Sequence, residues 1–283
     1  MKMTKTWFIT GASKGFGLEL VRQLLAKGEN VAATTRNKKE LENLVPASDK
    51  FLALQMDLTN EANVKLAIDS TIEKFGSLDV VINNAGYGLL GAVEELSDAE
   101  TKQNFEVNVF GSLNVIRQAL PQMRKQQSGH IFNISSIGGY LGDFAGFGVY
   151  CATKFAVIGF TEALAVEAKP FNIKVTAVLP GYFRTNFLNS DSLVTPNNEI
   201  ADYQTTRDSQ QWHQQQMANN QPGDPVKGAK AIIDAVYVEN PPVHLLLGSD
   251  AFKLASEKAE AMLGSFRDWK DVSVGTDFDT VNV

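Results

Sequence analysis

Short runs of β-branched and apolar residues alternate along this chain with longer stretches whose apolar positions recur every three to four residues. The short runs, at 6–10, 30–35, 51–55, 80–83, 129–134, 174–179 and 243–247, predict strands. Stretches such as 18–27 and 61–75 predict amphipathic helices between them. Strand–helix alternation requires right-handed crossovers between parallel strands. The pattern therefore predicts an α/β fold, a doubly wound parallel sheet of about seven strands with helices on both faces. No proline-rich or glycine/serine linker interrupts the middle of the chain and no repeat is visible, so residues 1–283 are expected to form one domain.

One stretch breaks the rhythm. Residues 183–223 are polar and rich in Gln and Asn, and include Gln210-Gln211-Trp212-His213-Gln214-Gln215-Gln216. A solvated insertion and a flexible lid over an active site are the two readings. Long loops in compact domains tend to carry function, which favours the lid, with Phe187, Trp212 and Met217 as its apolar contacts. A C-terminal extension follows after about residue 250, and past Gly264 its weak periodicity predicts loose docking.

Composition narrows the partners. The 283 residues are 44% hydrophobic and 20% charged, an ordinary globular balance. A net charge of −6 argues against nucleic acid held by bulk electrostatics, so an anionic ligand needs a local device such as a helix N-terminus or a placed arginine. The single cysteine, Cys151, excludes an internal disulfide. The apolar run Trp7-Phe8-Ile9 is too short for a signal-peptide core, and no apolar stretch is read as reaching the roughly 18 residues of a membrane span. The expectation is a cytoplasmic protein without a membrane partner. His130, His213 and His244 show no ligand spacing, so no metal site is read.

Thr10-Gly11-Ala12-Ser13-Lys14-Gly15-Phe16-Gly17 closes the first strand and opens the first helix. Glycines at a strand–helix turn let backbone N–H groups approach a pyrophosphate at the positive end of the helix, the Rossmann-type arrangement. The spacing is Gly-x-x-x-Gly-x-Gly, and it resembles the cofactor turn of the short-chain dehydrogenase/reductase family. Further segments resemble that family in the same order: Asn83-Asn84-Ala85-Gly86, Asn133-Ile134-Ser135-Ser136, Tyr150-Cys151-Ala152-Thr153-Lys154, and Pro180-Gly181 followed by Thr185. The resemblance is clear over roughly residues 4–190.

Tyr150 and Lys154 stand four apart, so on a helix they share a face. A phenol with an ordinary pKa of about 10 is a poor base at neutral pH, and a nearby ammonium is expected to lower it. The pair reads as a general acid/base. Cys151, the next residue, should point about 100° away as a packed thiol. The resemblance adds Ser136, orienting the substrate oxygen, and Asn108, holding a water that links Lys154 to solvent. It also implies an oxidoreductase that transfers hydride between a nicotinamide dinucleotide and a carbonyl or alcohol carbon. The cofactor would contact Gly11, Ser13, Lys14, Gly15, Phe16 and Gly17 in the turn, with Asp57 and Leu58 near the adenine. Asn83, Asn84, Ala85 and Gly86 would line it, Tyr150, Lys154, Pro180 and Gly181 would flank the nicotinamide, and Thr185 would bond its carboxamide.

Folds of this kind that bind NAD usually carry an acidic residue at the tip of the second strand. Here Thr35-Arg36 stands there, and an arginine can pair with a 2′-phosphate, with Lys14 as a second cation. NADP(H) is therefore the expected cofactor, with NAD(H) as the alternative. Tyr140, Leu141, Phe144, Phe147 and Tyr182 suggest an apolar small-molecule substrate. The resemblance implies a homodimer or homotetramer through the helices that carry Asn108 and Tyr150. A non-catalytic cofactor sensor, or an epimerase or dehydratase with a larger substrate domain, are the competing readings of the same fold.

Overall fold

Alternation within each strand sends successive side chains to opposite faces of a sheet, and both faces here are apolar. The structure, a computed structural model, describes residues 4–188 and 192–278. Residues 189–191 of the 183–223 segment, and 279–283 of the C-terminal extension, lie outside the described residues. In order, the elements begin with β1 (Thr6–Ile9), α1 (Gly15–Ala26), β2 (Asn30–Thr35), α2 (Lys38–Leu44), β3 (Phe51–Gln55), α3 (Glu61–Phe75) and β4 (Val80–Asn83). They continue with β5 (Gly88–Leu89), α4 (Asp98–Phe105), α5 (Gly111–Gln126), β6 (Gly129–Ile134), α6 (Gly148–Ala168) and β7 (Ile173–Pro180). The last are β8 (Leu193–Val194), α7 (Gln204–Gln211), α8 (Pro225–Ala235), β9 (His244–Leu247), α9 (Ser249–Asp268) and α10 (Lys270–Val274).

Seven strands form one parallel sheet in the order β3-β2-β1-β4-β6-β7-β9, as the hydrophobic pattern requires. Trp7, Ile9, Val31, Ala33, Val80 and Ile82 face one side and pack against α1, α2 and α8. Phe8, Ala32, Val81 and Ile131 face the other and pack against α3, α5 and α6. The strand order reverses beside β1, so the loops leaving β1 and β4 diverge and open a crevice at their carboxyl ends.

Helix ends report where the ligand belongs. Asn37 caps α2, Asn60 caps α3, Ser97 and Glu100 form a capping box on α4, and Asp224 caps α8 with Pro225 following. The N-terminus of α1 has no side-chain cap and no acidic residue in its first turn, so its donors are left to whatever occupies the crevice. Between α4 and α5 the helix widens into a π turn, Glu106–Phe110, which carries Asn108. The sequence pattern predicts one long helix here and gives no sign of the extra residue.

One sequence expectation needs correcting, and two elements go beyond what the pattern shows. A second, two-stranded parallel ladder of β5 and β8 was not predicted, because two residues carry no periodicity. The C-terminal extension is α9, 20 residues anchored by Ala251 and Ala255 against Ile137 and Leu141, and its described residues past Gly264 are exposed. Among the described residues, Gly148–Phe171 is long and apolar enough to cross a membrane, with a mean hydropathy of 1.4, contrary to the reading that no such stretch exists. Half of it is buried in the protein, where α6 packs on β7. Its many alanines, glycines and threonines do not read as one apolar run.

Candidate active site

The crevice is one cavity of about 1220 Å³. Of the residues singled out in the sequence, Gly11, Ser13, Lys14, Gly15, Phe16, Arg36, Asp57, Leu58, Asn84, Ala85, Gly86, Ser136, Tyr150, Lys154, Pro180, Gly181 and Thr185 all line it. Gly17, Asn83 and Asn108 do not, and each stands just behind the wall.

The glycine turn is held to β4 by hydrogen bonds. Thr10 Oγ1 accepts from the N–H groups of Asn84 and Ala85, each at 3.0 Å. Asn84 Nδ2 returns bonds to the carbonyls of Thr10 (2.9 Å) and Gly11 (3.0 Å). The Asn84 amide thus serves the turn itself, although its residue lines the cavity. A Cβ at Gly17 would stand 2.3 Å from the Gly11 carbonyl oxygen and 2.7 Å from Asn84 Nδ2, so Gly17 is required for packing rather than ligand contact. Asn83 donates to Asn133 at 2.8 Å, inside the sheet. Gly11 and Gly15 have φ of 65° and 55°, the left-handed region that favours glycine. The Phe16 ring packs on Phe183 (4.9 Å between centroids) and over Gly228, leaving its backbone toward the cavity. Leu58 is fixed by its carbonyl, which accepts from Asn114 at 3.0 Å. Asp57 folds an Asx turn onto Thr59 (2.9 Å). Arg36 and Lys14 are exposed at the cavity rim.

At the other end, Ser136 accepts from Gly138 N at 3.0 Å and lies in hydrogen-bond reach of the Tyr150 phenol. Ser135 is engaged elsewhere, donating to the Lys154 carbonyl at 2.9 Å. Lys154 Nζ donates to the Ile134 carbonyl at 2.9 Å. Asn108 accepts from Tyr87 N and donates to Tyr87 O and to Thr153 Oγ1, all at 3.0 Å. Gly86 lies between Asn108 and Lys154: a Cβ there would stand 3.0 Å from Asn108 Oδ1 and 3.4 Å from Lys154 Nζ.

One electrostatic expectation changes. Burial raises the Tyr150 phenol well above its ordinary value, the Ser136 hydroxyl offsetting only part of this. Lys154, whose ammonium sits 5.7 Å from the centre of the Tyr150 ring, does not reverse it. Burial in turn pulls Lys154 down to about 8. Cys151 is the packed thiol expected, but it does not turn away from the site: it lines the same cavity, beside Gly138. Burial pushes its thiol up to about 11, which keeps it protonated.

The described residues of the 183–223 segment cover the cavity as a roof and are docked onto the rest of the fold. Phe183 and Gly223 pair at its base, and β8 pairs with β5 through Gly88 N to Ser192 O and Leu90 N to Val194 O, both 2.8 Å. The Glu95 side chain, fully buried, accepts from Ala92 N (2.7 Å), Ile200 N (2.8 Å) and Arg207 (2.6 and 2.7 Å). Glu100 accepts from the backbone and side-chain nitrogens of Asn197, both 3.0 Å. Phe187 lines the cavity and Met217 packs into the cluster around Tyr150, as expected. Trp212 does not line it: its ring packs behind Tyr182 and His213, and the π turn Trp212–Met217 carries His213 inward instead. Tyr87, Gly138, His213 and Gln221 are cavity residues the sequence did not single out, and they lack the spacing to a partner that marks Tyr150 and Lys154.

Comparison with known proteins agrees with this geometry. A family model described as short chain dehydrogenase matches residues 5–193. The chain is 37% identical over 276 residues to the oxidoreductase BOA17 of Botryotinia fuckeliana, covering 97% of this chain and 100% of that one. A solved structure of a short-chain dehydrogenase from Streptomyces avermitilis superposes with a TM-score of 0.89 at 38% identity, covering 98% of this chain and all of the other. ElxO with NADP bound superposes with a TM-score of 0.73 at 30% identity, over 89% of this chain and 100% of its own. The chain belongs to the short-chain dehydrogenase family and is an oxidoreductase of CH–OH and C=O groups that uses a nicotinamide dinucleotide.

Glu95 supplies a test of the roof. Its burial pushes the carboxyl up, but the Ile200 and Ala92 N–H groups and Arg207 outweigh this and hold it below the ordinary carboxylate range. A lowered folded-state value means that its contribution is complete above roughly pH 4.3 and is lost as the pH falls through the folded value. Hydrogen exchange on the wild type should show 197–207 opening before the sheet as the pH drops below about 4. Glu95→Gln should open the same segment at neutral pH, by the lower end of the roughly 3–5 kcal/mol of a broken buried pair, since Arg207 keeps Glu199. Unchanged protection in both experiments would reject the latch.

Proposed function

We propose that this chain reduces the carbonyl of an apolar small molecule with NADPH, or runs the reverse oxidation, with Tyr150 as the acid/base. The observation that carries the reading is that the Tyr150 phenol, the Ser136 hydroxyl and Lys154 share one cavity with the glycine turn.

The residues fit a dinucleotide. A Cβ at Gly11 would stand 2.9 Å from Ala85 Cα, the uncapped end of α1 faces the crevice, and about 1220 Å³ exceeds the roughly 300–1000 Å³ of a single small-ligand pocket. The turn residues Gly11, Ser13, Lys14, Gly15 and Phe16 would hold the pyrophosphate, Asp57 and Leu58 the adenine end. Asn84, Ala85, Gly86, Pro180, Gly181 and Thr185 would hold the rest. The bound nicotinamide supplies or takes the hydride.

In the direction of reduction, Tyr150 donates its proton to the substrate oxygen while Ser136 hydrogen-bonds that oxygen and stabilises the charge developing on it. The raised phenol pKa keeps the proton in place until a carbonyl arrives. Lys154, whose hold on its proton is loosened by burial, is suited to pass it on toward water held beside Asn108. NADPH is favoured over NADH because an arginine occupies the rim where an acidic residue would hold a 2′-hydroxyl, with Lys14 across the turn. Assembly as a homodimer or homotetramer is supported by the outer face of α6, where Ala152, Phe155, Gly159, Ala163 and Val166 are exposed at helical spacing.

Tyr150→Phe should lower turnover of a ketone panel by at least about 100-fold, the scale of general acid catalysis, with NADPH binding by fluorescence retained; retained turnover would overturn the assignment. Arg36→Leu should raise the KM for NADPH about tenfold or more and leave that for NADH nearly unchanged, since roughly 1.5–3 kcal/mol attaches to a hydrogen bond with a charged group; equal losses would count against the preference. Sedimentation should give a multiple of the 30.9 kDa chain mass, reduced toward the monomer by Val166→Glu.

A further inference from the structure

The apolar cluster around Tyr150 is made of Leu90, Phe144, Phe147, Phe187, Leu188 and Leu193 together with Met217, and one polar pair is set into it. Tyr182 leaves the end of β7, its N–H bonded to Asp250 Oδ2 at 2.7 Å, and its phenol reaches His213 Nε2 at 2.9 Å. His213 hangs from the roof, 5% exposed, with its ring edge on Phe147 (4.8 Å between centroids). Both residues line the cavity.

The direction of the pair is fixed by its neighbours. His213 Nδ1 lies 2.7 Å from the Ser209 carbonyl, which can only accept, so Nδ1 carries the proton. Burial lowers the His213 pKa and keeps the ring neutral, leaving Nε2 as a bare acceptor. Tyr182 must therefore donate its O–H to Nε2. Burial pushes that phenol up to about 12, so it stays protonated. What Tyr182 retains for the cavity is oxygen lone pairs and no proton. A latch between roof and sheet has no need of such a pair: two apolar rings would close the same gap without desolvating an imidazole and a phenol.

We propose that Tyr182 Oη, with its proton tied to His213, is an acceptor-only recognition point that selects ketones bearing an additional O–H or N–H donor. This rests on the oxidoreductase reading of the site. Tyr150 and Ser136 then receive the carbonyl oxygen, Tyr182 receives a hydroxyl or amine on the same molecule, and the aromatic walls take its hydrocarbon part. A substrate with an acceptor in place of the donor meets lone pairs with lone pairs and is rejected.

The test compares kcat/KM, by NADPH oxidation, for decan-2-one, its analogues with a hydroxyl at carbon 1, 3, 4 or 5, and the methyl ether of each. The wild type should prefer at least one hydroxyketone over decan-2-one by roughly 10- to 100-fold, and its methyl ether should gain nothing. Tyr182→Phe should collapse that ratio to near one. His213→Phe releases the Tyr182 proton, so it should raise the methyl ether relative to decan-2-one. Absence of a preference in the wild type, or parallel loss on hydroxyketone and decan-2-one in Tyr182→Phe with NADPH binding intact, would overturn the proposal and leave the pair a latch. No turnover of any of these ketones would instead reject the apolar-ketone reading proposed above.

Discussion

Where the strand order reverses beside β1, two loops leave the sheet in opposite directions with their backbone groups unpaired by the ladder. The exchange between Thr10 and Asn84 resolves this. One hydroxyl takes two N–H groups and one carboxamide gives back to two carbonyls, so the glycine turn and the 84–86 loop become a single rigid edge. Gly17 completes the contact by having no side chain. The position of Gly86 follows from that edge, and with it the narrow gap between Asn108 and Lys154. The unsatisfied end of α1 faces the crevice for the same reason.

Burial then sets the chemistry. Tyr150 and Lys154 are both removed from water, and each is pushed toward its neutral form: the phenol up, the amine down. The two shifts bring their proton affinities to opposite sides of the usual order, the amine below the phenol. A pair in this state holds its proton on oxygen and gives it up when a stronger acceptor or a new positive charge arrives. The carbonyl bond from Lys154 to Ile134 keeps the amine in position without neutralising it.

Much of this was legible in the residues. All seven strands of the main sheet stand within a residue of the runs that predict them at either end, because fully buried parallel strands are unbroken apolar runs. The cavity residues with a fixed spacing to a partner were legible too: Gly11 with Gly15, Tyr150 with Lys154, Arg36 at a strand tip. What the sequence hid depends on contacts between distant segments. His213 was passed over because its partners, Tyr182 and Phe147, lie 31 and 66 residues away by position, and only the folded roof makes them neighbours. The sense of the Tyr150 shift was missed for a related reason, since helical spacing gives proximity to Lys154 but says nothing about how deeply both are buried. The ladder of β5 and β8 is too short to have any pattern of its own.

That ladder has a consequence for how this cavity can change. Its bonds run between main-chain atoms of Gly88, Leu90, Ser192 and Val194, so they do not use the side chains that the roof turns to the cavity. The hem of the roof is stitched by the backbone, and the lining is made by side chains. Side chains such as Phe187, Leu188 and His213 shape the lining, while the main-chain seam that carries them lies apart from the catalytic edge beneath it.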